Sequence, residues 1–365
     1  MNIDQVIQHF AIEGSMANAQ PYGGGHINDT YHVVNSDPAA PAYLLQKINH
    51  KVFGQVEGLM HNIAFVTSHI RKKLLSTRDP GIHEKVLTLI HTKEGKWFYH
   101  HGEEYWRVFR FMKNLRSYDH PETTAQVYEG AKAFGQFLSD LTDFSSDQLC
   151  ITIPRFHDLE YRLQQFSQAL EVSHTGRKGQ AIDQIKFVKD TAGELLVLQD
   201  LVRKGRVPLR VTHNDTKFNN VLLDEKDKGK CVIDLDTVMP GLVHYDFGDG
   251  IRTGSVTCEE DEADLSIVDV DIAKYEAYTE GYLDATREVL TPSELESLHI
   301  SAPFMAFIMG VRFLTDYLAG DVYYKIDSPG HNLQRAKCQL HLSKVMLDRK
   351  KEIAELIQRH YEVPK

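Results

Sequence analysis

One stretch of the sequence gathers side chains that could act together on a phosphate. It reads Val211-Thr-His-Asn-Asp215-Thr-Lys-Phe-Asn-Asn220-Val-Leu-Leu223, then a polar run to Lys230, then Cys231-Val-Ile-Asp234-Leu-Asp236. Val221 to Leu223 and Cys231 to Leu235 look like the arms of a hairpin whose polar turn centres near Asp227. Pairing Leu223 with Cys231 sets Asn220 opposite Asp234. Facing residues have Cβ atoms about 5 Å apart, so an amide oxygen and a carboxylate could share one hard cation such as Mg²⁺. Asp215, five residues before Asn220 on the entering loop, is close enough to address a substrate hydroxyl beside the same metal. A carboxylate to orient and deprotonate the nucleophile, with two oxygen ligands for a metal that bridges phosphates, is the layout phosphoryl transfer requires. Asp and Asn are also common turn formers. The whole array of His-x-Asp-x4-Asn, turn, apolar strand and Asp is much less often incidental than any one of its members.

A second candidate lies nearer the N-terminus, where Gly23-Gly24-Gly25-His26-Ile27-Asn28 precedes the β-like run Thr30 to Val34. Backbone N–H groups on a glycine-rich hairpin can approach triphosphate oxygens because no Cβ intervenes. Gly23, Gly24, Gly25 and Asn28 are therefore candidate nucleotide-binding residues, although a glycine run is as often only a turn. Further on, Arg312 sits amid Phe304, Phe307, Ile308, Val311, Phe313 and Leu314, with Asp316 one turn later. By itself that pattern reads as a buried ion pair. The scattered histidines, such as His100-His101, lack ligand spacing.

His213-Asn-Asp215-x4-Asn220 with Ile233-Asp234 resembles the aminoglycoside phosphotransferase and choline kinase superfamily, small-molecule relatives of the protein kinases. The longer strings Thr212 to Asp224, Val232 to Gly241 and Tyr245-Asp-Phe-Gly-Asp-Gly-Ile-Arg252 are similar to the bacterial N-acetylhexosamine 1-kinases. The likeness runs from Pro21–Asn28 to Gly310–Tyr324, nearly the whole chain. It implies a bilobal protein-kinase-like fold with ATP and Mg²⁺ in the cleft, phosphorylating the anomeric hydroxyl of N-acetylglucosamine or N-acetylgalactosamine. It also implies Asp215 as the catalytic base or orienter in touch with the substrate, Asn220 and Asp234 as metal ligands, and Arg312 and Tyr323 as sugar-binding residues. His26, an uncommon choice for a turn, and Asp236, on the same expected strand face as Asp234, complete the substrate-side candidates.

One motif is a decoy and one position departs from the relatives. Asp246-Phe-Gly looks like the metal-binding Asp-Phe-Gly of protein kinases, yet it falls 31 residues after Asp215, against 19 for Asp234 at the end of a hairpin strand. The spacing favours Asp234 as the metal ligand, and the resemblance implies that Gly241-x4-Asp246 is a family element that braces the catalytic loop. Relatives with a phosphate-binding lysine carry it on the third strand, here Tyr43-Leu-Leu-Gln46-Lys47-Ile48. Gln46 aligns with that position, and strand alternation turns Lys47 to the opposite face. Either the glycine loop and metal bind the phosphates without that lysine, or the register slips by one. Glu57, in the place of its acidic partner, is expected on a solvated helix face.

These residues need elements to hold them. From Ala17 to Met112 the chain is mostly short β-like runs, at Thr30–Val34, Tyr43–Ile48, Val86–His91, Trp97–His101 and Tyr105–Met112, interrupted by a helix over Val56–Leu75. After Asn114 the apolar period becomes 3.6. Helices are expected near Thr124–Leu141, Leu159–Leu170, Ala181–Lys204, Ile272–Ala285, Thr291–Ala319 and Leu333–Arg359. Thr291-Pro-Ser-Glu294 has the N-cap, first-turn proline and N3 glutamate of a capping box. The fold class is thus α+β, with a small β-rich nucleotide-binding lobe over residues 1–114 and a larger, mostly helical catalytic and sugar-binding lobe over residues 115–365.

Composition agrees with a globular enzyme. The chain has 365 residues, 42% of them hydrophobic and 25% charged, enough to bury a large core. Its net charge of −10 argues against nucleic-acid or anionic-membrane surfaces, which need an excess of Lys and Arg. Cys150, Cys231, Cys258 and Cys338 show no CxxC spacing, so neither a disulfide framework nor a zinc site is implied. The N-terminus lacks a signal-peptide pattern, and the apolar stretch Ile300 to Val311 is short for a membrane span. The expectation is a cytoplasmic kinase that takes ATP and a small sugar, with no protein partner implied. The rivals are the same chemistry on homoserine, choline or an aminoglycoside, and a nucleotide-binding pseudokinase. An acidic acceptor pocket would mark the first; intact Asp215, Asn220 and Asp234 argue against the second.

Overall fold

The computed structural model describes residues 2–23 and 27–362. Strands β1 (Met16–Pro21), β2 (Asp29–Asn35), β3 (Tyr43–Ile48), β4 (Leu89–Ile90), β5 (Tyr99–His101) and β6 (Glu104–Arg110) form one antiparallel sheet. Their order is β1-β2-β3-β6-β4, with β5 also paired to β6. Alternation divides its faces. Tyr43, Leu45, Trp106 and Val108 pack with Val6 and Phe10 at the chain's start. Ile48 and Phe109 face the other way, into the core that includes Leu59, Met60 and Ile63 of the helix Val56–Ser76.

The expected strand over Tyr43–Ile48 is observed, whereas Val86–His91 and Trp97–His101 shrink to Leu89–Ile90 and Tyr99–His101, with a helical turn at Ile82–Lys85 before the first. β1 was not expected, because Met16-Ala-Asn-Ala-Gln-Pro has little β preference. It is a half-exposed edge strand held by its ladder to β2.

The C-terminal part is helical, and the apolar helix Ser301–Ala319 runs through its core, with Phe304, Phe307, Ile308, Val311 and Leu314 wholly enclosed. The segment Pro292–Ala319 is long and apolar enough to cross a bilayer, but 72% of its most apolar window is buried inside the fold. The Thr291/Glu294 capping box forms as expected. Arg210 grips the same glutamate at 2.7 Å through both Nε and Nη2. Three helices expected to be continuous are broken: into Ile182–Leu195 and Val197–Arg203, into Pro292–Ser297 and Ser301–Ala319, and into His331–Asp348 and Lys350–Tyr361. In the last case the first half spans two cores, with Cys338, Leu342 and Met346 in the one that the second half joins. Leu333, Ala336 and Leu340 pack with Phe304 and Phe307, while Ile353, Leu356 and Ile357 pack with Tyr275 and Leu298.

The helix Val243–Gly254 was also not expected, since its glycines and aspartates are weak helix formers. Packing overrides propensity there: Val243, Phe247 and Ile251 enter the core, and a Cβ on Gly250 would fall 1.9 Å from Tyr278 Oη. Four short strands complete the site's frame: β7 (Arg210–Thr212), β8 (Val221–Leu223), β9 (Gly229–Val232) and β10 (Met239–Gly241). β8 and β9 form the expected hairpin in a different register. Val221 faces Val232 and Leu222 faces Cys231, with a bulge before Leu223. Asn220 therefore lies opposite Ile233, whose N–H donates to Asn220 O at 2.9 Å, and Asp234 falls beyond the strand.

Candidate active site

The loop after β7 is held from several sides. β7 pairs with β10, Thr212 facing Met239, so the chain turns out of the ladder at His213. His213 is wholly buried, its Nε2 2.8 Å from Ile233 O, and Thr237 Oγ1 donates to its carbonyl at 2.7 Å. Asp246, in the first turn of the helix Val243–Gly254, accepts the backbone N–H of His213 at 2.8 Å and of Asn214 at 2.7 Å. Asn214 is left-handed, with φ 65°, a conformation asparagine tolerates. Only glycine fits at 241, because a Cβ there would stand 2.2 Å from Thr212 Oγ1 and 2.6 Å from Asn214 Oδ1. Asp246 and Gly241 thus occupy the bracing positions expected of them.

Asp215 emerges from this loop half-buried. Asn220 Nδ2 donates to its carbonyl at 2.8 Å and to its Oδ2 at 3.3 Å, and Lys217 Nζ lies 3.3 Å from its Oδ1. Asp234 joins the group through a left-handed backbone, φ 58° and ψ 56°, at the foot of the 3-10 turn Leu235–Thr237. The protein enclosing the cleft, followed by the Asp236 and Asp215 carboxylates, pushes the Asp234 carboxyl up to about 7, although its side chain meets solvent. Asp215 behaves oppositely: enclosure would raise it, but Lys217 and His213 outweigh that and hold it below the usual range. Lys217 is raised in turn, chiefly by Asp215.

Among the described residues no group of three or more His, Cys, Asp or Glu side chains is assembled for a metal. The candidate donors are hard oxygens, the Asn220 amide and the Asp234 carboxylate, and the crowded negative charge at Asp234 is what a divalent cation would relieve. That donor set fits Mg²⁺, which takes one or two protein carboxylates and fills its remaining positions with phosphate and water.

On the N-terminal side, Gln46 and Arg107 are cross-strand partners of β3 and β6. Gln46 Nε2 donates to Thr30 Oγ1 at 3.0 Å, and Arg107 Nε donates to Gln46 Oε1 at 2.9 Å. The Arg107 guanidinium continues to Asp236, with Nη2 3.0 Å from Oδ2 and Nη1 on Oδ1. Asn28 Nδ2 reaches the same Oδ2 at 2.7 Å, while Asn28 Oδ1 accepts the N–H of Asn49 at 2.9 Å. Asp236 is therefore not on a strand face beside Asp234. It sits in the 3-10 turn with both oxygens engaged by N-terminal donors, a bracing position in place of the expected sugar contact. The Asn28 side chain is likewise engaged by protein groups. Lys47, on the opposite face as expected, pairs with Glu104, and Glu57 is exposed. Gly23 turns with φ 76°; Gly24, Gly25 and His26 lie outside the described residues.

His157, in ring contact with Phe156, packs against the loop that carries Asp215. His157 Nε2 is 2.9 Å from Asn214 O, and its buried Nδ1 has no hydrogen-bond partner. Burial pushes its pKa down to about 3, so the ring is neutral. Arg312 lies over the Phe156 ring at 5.1 Å and the Tyr324 ring at 5.7 Å. Arg162 Nη2 donates to Phe156 O at 2.9 Å, and burial with the nearby Arg312 pushes Arg162 down to about 10. Among the described residues neither arginine makes an ion pair. The Arg312–Asp316 pair that the sequence suggests does not form. Asp316 instead accepts the backbone N–H groups of Val322, Tyr323 and Tyr324 at 2.9, 2.8 and 2.9 Å, and so shapes the loop that carries Tyr323. Tyr323 stands at the rim, 65% exposed and edge-on to Tyr324.

The model of the phosphotransferase enzyme family known as APH matches residues 18–288, well over half of the chain. The chain belongs to this phosphotransferase family. Solved structures share its fold along almost its full length. An aminoglycoside phosphotransferase from Alicyclobacillus acidocaldarius superposes with a TM-score of 0.62 at 11% identity, covering 99% of this chain and 97% of that one. A microcompartment-associated aminopropanol kinase gives 0.64 at 14% identity, over 95% and 97% of the two chains. A spectinomycin phosphotransferase solved with ADP and spectinomycin gives 0.56 at 16% identity, over 99% and 98%. The phosphotransferase's β-sheet N-terminal region and helical C-terminal part are the kinase-like arrangement expected, and they are shared with these structures.

Four residues of the phosphotransferase's cleft escaped the sequence reading. Lys217 was visible in the motif, two residues after Asp215. Arg107 stands between Trp106 and Val108 in an apolar strand, a sign of a buried partner that does not say which. His157 and Arg162 carry no local signal, because what they meet, Asn214 and Arg312, is remote in sequence.

Proposed function

We propose that this phosphotransferase uses ATP and Mg²⁺ to phosphorylate the anomeric hydroxyl of an N-acetylhexosamine, N-acetylglucosamine or N-acetylgalactosamine, giving the sugar 1-phosphate. The observation that carries this reading is the pairing of Arg312 and Arg162 about Phe156, without an ion-pair partner among the described residues, next to His157, which reaches the Asp215 loop at Asn214 O. Such a wall repels an ammonium group, as an aminopropanol kinase must hold, and favours hydroxyl and acetamido oxygens that guanidinium groups fix in direction. In this reading residues 1–114 are the nucleotide-binding lobe and residues 115–365 the catalytic and sugar-binding lobe. The cytoplasm, which supplies ATP and keeps the four free cysteines reduced, is its setting.

Asp215 orients the attacking hydroxyl and receives its proton. Held ionised by Lys217 and His213, it is a carboxylate at neutral pH. The hemiacetal hydroxyl at C1 is the most acidic on the sugar, so a base of ordinary strength serves a loose phosphoryl-transfer transition state. Lys217 offers its ammonium beside Asp215 to the transferred group's negative charge. Asn220 and Asp234 would hold Mg²⁺, which when bound neutralises charge on the bridged phosphates. Gly23, Gly24, Gly25 and the backbone of Asn28 cradle the nucleotide phosphates. His26, Arg312 and Tyr323 hold the sugar with Arg162 behind, so that C1 faces Asp215, and positioning supplies much of the rate.

The test is turnover with a panel of amino sugars and amine-bearing alcohols, read as ADP release, followed by phosphorus-coupled NMR of the product. ADP release with N-acetylhexosamines and coupling to the anomeric proton are expected. Coupling to the C6 protons would mean that the sugar enters the other way round. Turnover of choline or an aminoglycoside alone would overturn the acceptor assignment, and nucleotide binding without any turnover would leave a regulatory protein.

A further inference from the structure

The ion pair between Arg107 and Asp236 joins two parts of the molecule that meet at the cleft. Both residues are withdrawn from water, 1% and 2% exposed, and the pair links strand β6 of the N-terminal sheet to the turn that follows Asp234. The Asp236 carboxylate gathers donors from two N-terminal elements: the Arg107 fork, and Asn28 Nδ2 at 2.7 Å, just before β2 and at the end of the glycine-rich segment. Gln46 takes Arg107 Nε at 2.9 Å and is itself held by Thr30 Oγ1 at 3.0 Å, which sets the plane of the guanidinium.

A buried ion pair adds little stability over a well-packed apolar pair, because desolvating both charges offsets their attraction. What it adds is direction, since a two-pronged guanidinium contact fixes both the distance and the angle of a carboxylate. Asp236 is two residues from Asp234, whose left-handed backbone makes the place of its own carboxylate depend on the turn that follows.

We propose that Arg107, acting through Asp236, is a positioning residue of the nucleotide and metal site: it registers the N-terminal sheet and the end of the glycine-rich segment onto the turn that carries Asp234. The inference rests on the reading that the cleft binds Mg·ATP. Arg107→Met, Asp236→Leu and the double variant are compared by thermal melting and by calorimetric titration with Mg·ADP, which needs no turnover. Each single variant leaves one buried charge unpaired and melts lower; the double variant removes both charges and regains the unmodified melting temperature. In that folded double variant Mg·ADP binding weakens by about tenfold or more, as for the loss of a group that orients a metal ligand, and the ATP KM rises with it while the acceptor KM stays within about twofold. Unaltered Mg·ADP affinity in a normally melting double variant would overturn the proposal. So would equal rises in both KM values, which mean general loosening. Should the double variant fail to fold, Arg107→Lys keeps the charge and loses the fork: weaker Mg·ADP binding supports the proposal and unchanged binding overturns it. An unmodified chain that binds no Mg·ADP would overturn the kinase reading itself, and is recognised because the defect is not the variant's.

Discussion

Two regions about the Asp215 loop carry their charge in opposite ways. Toward the N-terminal sheet, Asp215, Asp234 and Asp236 crowd together, and although Lys217 and Arg107 answer two of them, the Asp234 carboxyl is still pushed up to about 7. Toward the helical core, Arg162 and Arg312 share the surroundings of Phe156 and have no ion-pair partner among the described residues. Elsewhere buried charges are matched, as in Arg210 with Glu294 and Arg252 with Asp249. Charge left unmatched inside a fold is costly unless a ligand meets it. One region therefore calls for a cation and the other for electronegative oxygens, and the loop of Asp215 touches the second through Asn214 and His157.

The severest break of that contrast is on the acidic side. Asp234→Ala should abolish Mg²⁺-dependent turnover in a folded protein, and Asp215→Asn should lower kcat by about 10² to 10⁴ with the melting temperature kept, the usual contribution of a general base. Asp246→Ala should differ in kind. It leaves the buried N–H groups of His213 and Asn214 unpaired, a loss of roughly 2–4 kcal/mol of stability in a denaturant titration. If Asp246→Ala loses metal dependence while Asp234→Ala retains it, the two roles are reversed.

The basic side sharpens the contrast through binding. Arg312→Ala should raise the acceptor KM by about ten- to a hundredfold, the loss of one hydrogen bond from a charged group, and Arg162→Gln, standing behind it, by less, with the ATP KM nearly unchanged in both. Steady-state kinetics with each substrate varied in turn decides it, and a rise confined to ATP would move these arginines to the nucleotide side.

The smallest effect is on pH. His157 has an ordinary value of 6.5 and is pushed down to about 3 by burial, so between those values the unfolded chain binds the extra proton. Stability should fall as pH drops through that window, by up to about 1.4 kcal/mol per pH unit for the one proton. Asp246 acts with the opposite sign: burial pushes it from 3.8 to about 6, so its contribution is present at low pH and is lost as pH rises through that interval. His157→Gln should therefore flatten the acid limb of the melting temperature against pH. An undiminished slope would show that His157 is not held neutral.

Local pattern carried a good deal of this molecule. A capping box placed the start of the helix Pro292–Ser297 and the 3.6 period that of Thr124–Asp140, alternation put Gln46 and Lys47 on opposite faces of β3, and the spacing of Asp215, Asn220 and Asp234 pointed to one cleft. Each depends on residues close along the chain, where periodicity and capping act. The hairpin's register did not follow from pattern, because a bulge before Leu223 shifted the pairing and a left-handed Asp234 redirected the chain. Nor did the helix Val243–Gly254, whose Val243, Phe247 and Ile251 are buried in the core while Tyr278 leaves no room for a side chain at Gly250. Arg107 and Asp236, 129 residues apart, and Arg162 beside Arg312 are the plainest cases. A charged side chain announces in sequence that it needs a partner, but the partner is whichever group the packed lobes bring within reach, and that depends on contacts between elements rather than on the order of residues within one.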